Sequence, residues 1–401
     1  MKSDWKTSTI GTACSLVTDG SHSSPKSVES GEYMVSVKDF TEYGFDFTSC
    51  RRISSEDYEM LKRNGCVPEQ DDILIGKDGA RYFEDIIIYR QPERPALLSS
   101  IAILRCNKEE ILPEFLYYTL RTPSFKQDVR DNYGSGSAIP RIILKDFKRM
   151  PISFPSLDVQ RQITAVLSIL DQRIQINTKI NDNLEQQARA YFQELFVDNS
   201  DSAWTLGTVS DLGAVVGGST PSKSKPEYYT EDGIAWITPK DLSINKAKFI
   251  SHGENDITEL GLKNSSASIM PEGTVLFSSR APIGYIAIAS GEVTTNQGFK
   301  SVVPKPEIGT AYVYYFLKYN LPVIEGMASG STFKEVSGST MKNVPAVIPD
   351  TETLACFNDF CTPIFAQQRI LEEQNQSLAA LRDSLLPKLM SGEIDVSDIQ
   401  L

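Results

Sequence analysis

The chain repeats itself, and that repetition limits what it can fold into more than any other feature. Displacing the 401-residue sequence by 194 positions sets Ser135-Gly136-Ser137 opposite Ser329-Gly330-Ser331, Lys148 opposite Lys342, Pro151 opposite Pro345 and Pro155 opposite Pro349. The register continues without a gap through Phe147/Met341, Leu170/Ile364, Ile176/Ile370, Asn181/Asn375, Leu184/Leu378 and Leu195/Leu389. A fixed-period repeat implies two copies of one structural unit. Each copy reads as a mixed domain, a Pro-x-x-x-Pro exit and one long helix.

The helices follow from periodicity. Ile163, Leu167, Leu170, Ile174, Asn177, Asn181, Leu184, Ala188, Tyr191 and Leu195 alternate spacings of four and three, the pattern of a coiled-coil seam. Leu354, Phe357, Cys361, Ile364, Gln368, Leu371, Asn375, Leu378, Arg382, Leu385 and Leu389 repeat it, with Pro363 expected to kink the first turns. A lone amphipathic helix most often packs on its own domain. Duplication favours instead two helices pairing with each other, through Leu170, Ile174, Asn181 and Leu184 on one and Leu371, Asn375, Leu378 and Leu385 on the other. Asn181 and Asn375 would cost stability and fix register. Helices of about 40 residues would be about 60 Å long, which suggests a spacer.

Between the helices, short β-rich runs such as Asp72-Ile73-Leu74-Ile75, Ile86-Ile87-Ile88-Tyr89 and Ser100-Ile101-Ala102-Ile103-Leu104 alternate with turns. The second copy has Thr274-Val275-Leu276-Phe277 and Gly284-Tyr285-Ile286-Ala287-Ile288-Ala289, and helices are expected at 112–120 and 311–318. The expected fold class is α+β: two mixed α/β domains, 1–155 and 198–350, joined by two long helices, 156–197 and 351–401. The helices form an antiparallel coiled coil, and the whole has a pseudo-twofold internal repeat.

No apolar run approaches the roughly 18 residues that a membrane span requires, and the first twelve residues lack the apolar core of a secretory signal. A cytoplasmic protein is expected. Six scattered cysteines without a Cys-x-x-Cys pair suggest reduced thiols, and two histidines far from them leave no zinc constellation, so no metal is expected. The net charge of -12 opposes a broadly basic surface. The excess is uneven: residues 1–155 hold 21 cations against 23 carboxylates and 201–350 hold 12 against 15, whereas 351–401 hold three against eight. Each domain can therefore carry a local basic patch.

The long polar loops are the candidate working surfaces. Arg or Lys suits guanine and phosphate, and Asn or Gln suits adenine, so residue type selects candidates for DNA contact. In the first domain these are Ser21, His22, Lys26, Lys77 and Arg81; in the second, Thr220, Lys223, Lys225, Ser279, Arg280, Asn296, Gln297 and Lys300. Any one of them alone is more commonly a turn former or surface charge. Catalytic signatures are missing. There is no P-loop, no Asn/Asp-Pro-Pro-aromatic methyltransferase loop and no Gly-x-Ser-x-Gly elbow. Asp71, Asp72 and Lys77 superficially suit a Mg²⁺ nuclease, although acids flanking a strand are commoner than metal sites. No catalytic residue and no cofactor is expected.

Several strings carry a resemblance. Gly217-Gly218-Ser219-Thr220-Pro221-Ser222-Lys223, Ile234-Ala235-Trp236-Ile237-Thr238-Pro239-Lys240-Asp241-Leu242 and Thr295-Asn296-Gln297-Gly298-Phe299 resemble the recognition domain of type I restriction-modification specificity subunits. Thr18-Asp19-Gly20-Ser21-His22-Ser23-Ser24-Pro25 and Gly134-Ser135-Gly136-Ser137 match it in the first domain, whose Trp-containing segment is missing, and the helix end 381–394 also looks familial. The resemblance implies a non-catalytic subunit binding a bipartite sequence in double-stranded DNA, one half-site per target-recognition domain, with the paired helices as ruler. Its partners would be two DNA adenine methyltransferase subunits and an ATP-dependent restriction translocase. Other readings are a specificity fragment of a different restriction-methylation enzyme, a coiled-coil scaffold without a DNA role, and an independent nuclease.

Overall fold

A computed structural model describes residues 5–134, 140–330 and 334–396; Ser135-Gly136-Ser137 and Ser331, in the repeat, lie outside them. Two compact units emerge, Met1–Arg173 with Leu378–Leu401, and Ile174–Ser377. The division falls inside both long helices, Leu157–Gln193, which continues as a wider turn over Glu194–Asp198, and Thr351–Met390.

In the first unit, strand Lys6–Thr9 pairs antiparallel with Pro151–Phe154. The central sheet runs in the order Cys14–Asp19, Ile101–Cys106, Ile73–Gly76, Ile86–Ile88. Its apolar runs alternate between two cores, because successive side chains of a strand point to opposite faces. Ile73, Ile75, Ala102 and Leu104 join Phe115, Leu116 and Phe147 on one face. Leu74, Ile87, Ile101 and Ile103 join Val35, Phe45 and Leu97 on the other. A smaller sheet, Arg51–Ile53, Glu32–Val35, Ala96–Leu97, lies beyond the second core. The expected helix is Pro113–Arg121.

The second unit repeats this plan. Thr205–Thr208 pairs with Pro345–Ile348, and the central sheet is Gly213–Gly217, Lys300–Pro304, Val275–Ser279, Ile283–Ala289, Phe249–Ile250. Val275, Phe277 and Val302 face one core, Leu276, Ala287 and Phe299 the other. Ile234–Ile237 lies parallel to Thr294–Thr295 in the smaller sheet, as Glu32–Val35 does to Ala96–Leu97. Phe249–Ile250 is a fifth central strand, whereas the first unit's central sheet has four.

The helices pair antiparallel within the second unit: Asn177 donates to Asn375 at 2.9 Å, Gln368 to the Asn181 carbonyl at 3.3 Å, and the Tyr191 and Phe360 rings lie 4.6 Å apart. Ile174 and Leu371 are buried, Asn181, Leu184 and Asn375 half-buried. In the first unit Leu170, Leu378 and Leu385 are half-buried, and Ile163, Leu167, Leu386 and Leu389 enter the domain core. Pairing and packing on a domain, alternatives in the sequence, coexist. Tyr191 meets the other helix while its neighbour Phe192 packs, tilted, against Tyr312 and Tyr315 of the second domain. The expected kink takes no visible form as a break: Thr351–Met390 runs helical through Pro363. Pro363 and Asp359 lie on the exposed face, where water can satisfy the carbonyl that proline leaves without a donor. Asp350 caps this helix, accepting from the Thr353 amide at 2.9 Å. All six cysteines are free, and among the described residues no helix is long and apolar enough to cross a membrane.

A lysine is among the polar groups inside the second unit's packing. Lys248, 7% exposed, places its Nζ 2.5 Å from Glu185 Oε2. Burial would raise the Glu185 carboxyl, but the Lys248 and Lys318 ammoniums overcome it and hold it down from 4.5 to about 2. A depressed carboxyl contributes its stability above its ordinary value and loses it as pH falls through the folded one. Glu185→Gln should therefore unfold about 3 kcal/mol more easily than wild type at neutral pH, from stranding the buried ammonium. That difference should close as pH falls from 4.5 to about 2, in denaturant titrations followed by fluorescence. Phe357→Ala, emptying a site packed by Phe192, Phe196 and Tyr315, should cost about 3–5 kcal/mol in the same assay.

Candidate nucleic-acid interface

Both units build the same backbone cradle at one end of the central sheet. Gly20 follows strand Cys14–Asp19 and passes so close to the neighbouring chain that a Cβ there would lie 2.3 Å from the Leu97 carbonyl oxygen. Gly218 follows Gly213–Gly217, and a Cβ would lie 2.0 Å from the Asn296 carbonyl oxygen. The next amide closes the contact in each: Ser21 donates to Leu97 at 2.7 Å, Ser219 to Thr295 at 2.9 Å. At the far side Lys77 donates its amide to Ser100 and Ser279 its amide to Gly298, at 2.9 and 2.7 Å. The two loop clusters are thus equivalent positions carrying different side chains.

In the second unit the cradle is a cleft of about 510 Å³ lined by Thr220, Lys223, Trp236, Lys240, Arg280 and Gln297, with Asn296 beside them. Five of the eight sequence candidates in this domain come together there. Thr220 donates its hydroxyl to Gln297 Oε1, leaving the Gln297 amide group to point elsewhere. Asn296 Oδ1 is spent on the Gly298 amide at 2.8 Å, so Asn296 shapes the turn. Arg280 lies on the turn between Val275–Ser279 and Ile283–Ala289, next to Ala281 with φ 52°, and its guanidinium is 3.5 Å from Glu335. Lys300, half-buried, reaches the same Glu335 at 3.7 Å and the Gln297 carbonyl at 3.3 Å.

Ser279 is fully buried with its hydroxyl on the Gly298 carbonyl at 3.1 Å, so it builds the cradle instead of facing the cleft. Lys225 is exposed, 3.6 Å from Glu227 and outside the cleft lining.

The sequence candidates missed Trp236, Lys240 and Glu335. The string Ile237-Thr238-Pro239-Lys240-Asp241 now has a local reason: Thr238 precedes the helix Pro239–Ile244, proline takes its first position, and Asp241 accepts from the Thr238 amide and hydroxyl at 2.7 and 2.6 Å. The other Asp241 oxygen takes the Glu254 amide at 2.9 Å, and Trp236 Nε1 donates to the Ser219 carbonyl at 2.9 Å.

The first unit's cradle is filled differently. Lys77, expected on a loop surface, is 7% exposed with its ammonium 3.3 Å from buried Asp19 and 3.6 Å from Asp78. Ser21 is also buried and donates to the Ser23 carbonyl at 2.8 Å. His22 stands out from the surface, 3.4 Å from Asp19, and Lys26 is exposed. Arg81 is exposed and paired with Asp85 at 2.8 Å.

The carboxylates that suggested a nuclease do not converge on a shared site. Asp72 is fully buried and bound twice by Arg105 at 2.9 Å, while Asp71 meets Arg90 and Lys108 at 3.0 and 2.7 Å. Burial works against the Asp71 carboxylate, but these two cations hold its pKa below the usual range. Among the described residues no group of three His, Cys, Asp or Glu side chains is placed to hold a metal ion.

A family model described as the type I restriction modification DNA specificity domain matches residues 2–186 and again 201–381. The type I restriction enzyme MjaIX specificity subunit of Methanocaldococcus jannaschii is 41% identical over 191 residues, 45% of this chain and 44% of that protein, less than half its length. The HindI specificity subunit of Haemophilus influenzae is 24% identical over 73% of this chain and 80% of its own. Among solved structures, a type I restriction-modification S subunit from M. genitalium shares the fold with a TM-score of 0.57 at 17% identity, covering 96% of both chains.

Asp241→Ala should leave the part-buried Thr238 and Glu254 amides without their acceptor and lower the unfolding free energy by about 1 kcal/mol, as measured by thermal or denaturant melts.

Proposed function

This chain belongs to the type I restriction-modification DNA specificity family, and from that premise we propose that it is the non-catalytic specificity subunit of such an enzyme. It reads a bipartite sequence in double-stranded DNA, one half-site per domain, and directs adenine methylation and ATP-dependent restriction carried out by partner subunits in the cytoplasm. In this reading 1–155 and 198–350 are the target-recognition domains, and 156–197 and 351–401 form the spacer. The observation that carries it is the duplicated cradle: one backbone frame, presented twice, with different side chains at equivalent positions. Two different half-sites are what such a device would read.

In the second domain Arg280 and Gln297 are the groups suited to base edges, while Lys223 and Lys240 suit phosphates. In the first, exposed His22, Lys26 and Arg81 are the available donors, and Lys77 supports the cradle from within. The helices also offer a docking face. Ile176 and Ile370, equivalent in the repeat, lie off the seam and are 49% and 47% exposed, which suits one methyltransferase subunit on each.

Genome-wide mapping of methylated adenine in cells expressing the chain with its methyltransferase should reveal one bipartite motif. Three or four residues inserted into the first long helix should lengthen the gap, and a motif with an unchanged gap would remove the ruler. Arg280→Ala should relax only one half-site and weaken binding about tenfold. Ile176→Asp should cost one methyltransferase copy in native mass spectrometry.

A further inference from the structure

Lys248 lies outside the cleft and belongs to the outermost edge of the second domain's central sheet, immediately before strand Phe249–Ile250. Its ammonium is held by Glu185 of the first long helix at 2.5 Å, Gln368 of the second at 2.6 Å and the Tyr315 hydroxyl at 3.2 Å, and it lies 4.2 Å from the centre of the Phe365 ring. Tyr315 in turn donates to Glu185 at 2.8 Å. The backbone is gripped as well: Glu372 of the second helix accepts the Lys248 and Phe249 amides at 2.9 and 3.1 Å, standing where a further strand would pair. One residue therefore ties the domain to both helices at once.

Stability alone is a poor reason for this arrangement. Replacing a buried ion pair by apolar side chains of similar volume is often neutral or stabilising, and the same unit already packs Phe192, Tyr312, Tyr315 and Phe357 into an apolar contact between domain and helices. Apolar contact is non-directional and permits small rocking. A cation fixed by three partners is directional. The first unit has a related device, with Tyr118 and Arg382 both donating to buried Asp171 at 2.7 and 2.8 Å, but there the cation comes from a helix and not from a sheet edge.

We infer that Lys248 is a positioning residue that fixes the second recognition domain's angle on the helix pair, and thereby the fidelity of the gap between half-sites; this rests on the specificity-subunit reading. Adjacent base pairs are about 3.4 Å apart, so a domain free to shift by that amount accepts a gap one base pair longer or shorter.

The test is methylated-adenine mapping with the full chain and its methyltransferase, comparing wild type with Lys248→Met combined with Glu185→Gln, which removes both charges together. The expected result is unchanged half-site sequences with a second gap length one base pair away, while Lys248→Arg alone, which keeps a cation beside Glu185, retains a single gap. A single unchanged gap in a variant that still melts cooperatively would overturn the inference. Should the double variant fail to fold, Tyr315→Phe and Glu372→Gln, which each weaken one attachment, decide the matter by the same gap measurement. Absence of any bipartite motif in wild type would instead bring down the specificity reading, and the clamp with it.

Discussion

The second unit depends on where two helices stop sliding past each other. An apolar seam tolerates displacement, because one leucine contact resembles the next. Asn177 against Asn375 and Gln368 against the Asn181 carbonyl do not, since a shifted register would leave amide groups buried without partners. Register then dictates everything placed along the helices in that unit. It sets Phe357 against Phe192, and it brings Gln368 and Glu185 to the same ammonium. The polar residues that weaken the seam are the ones that make its neighbours specific.

The central sheets show a second constraint. Both faces of each are covered, so strand residues are apolar without exception over runs such as Ile73-Leu74-Ile75 and Val275-Leu276-Phe277. Polar chemistry is expelled to the strand ends, where the cradle forms. Close approach at Gly20 and Gly218 brings two loops within hydrogen-bonding distance and leaves their side chains free to differ. Backbone geometry shared by the two units and side chains that differ between them are in this sense one design.

Much of this was legible from the residues. The seam spacing marks the helices, the apolar runs mark the strands, and the repeat shows that there are two of everything. The candidate surfaces were harder. Lys77 reads as a loop cation because Asp19, its partner, lies 58 residues earlier and arrives only through sheet pairing. Ser279 reads as a surface hydroxyl, yet it closes the cradle from inside. Lys248 gave no signal, since its partners come from three distant segments and none follows a local spacing. Local patterns report periodicity and capping, as at Thr238 and Asp241; they do not report which distant charge a buried lysine will meet.

The pairing of Thr205–Thr208 with Pro345–Ile348 has an evolutionary consequence. The strand that enters the second domain and the strand that leaves it are zipped to each other, residue against residue, from Thr205 and Ile348 to Thr208 and Pro345. The domain is therefore a cassette with adjoining ends. Two exchanges of genetic material, one at each strand, would replace everything between them while the flanking helices kept their sequence, and a foreign insert would need to bring back the same clasp together with the groups that meet Phe192 and Glu185 on those helices.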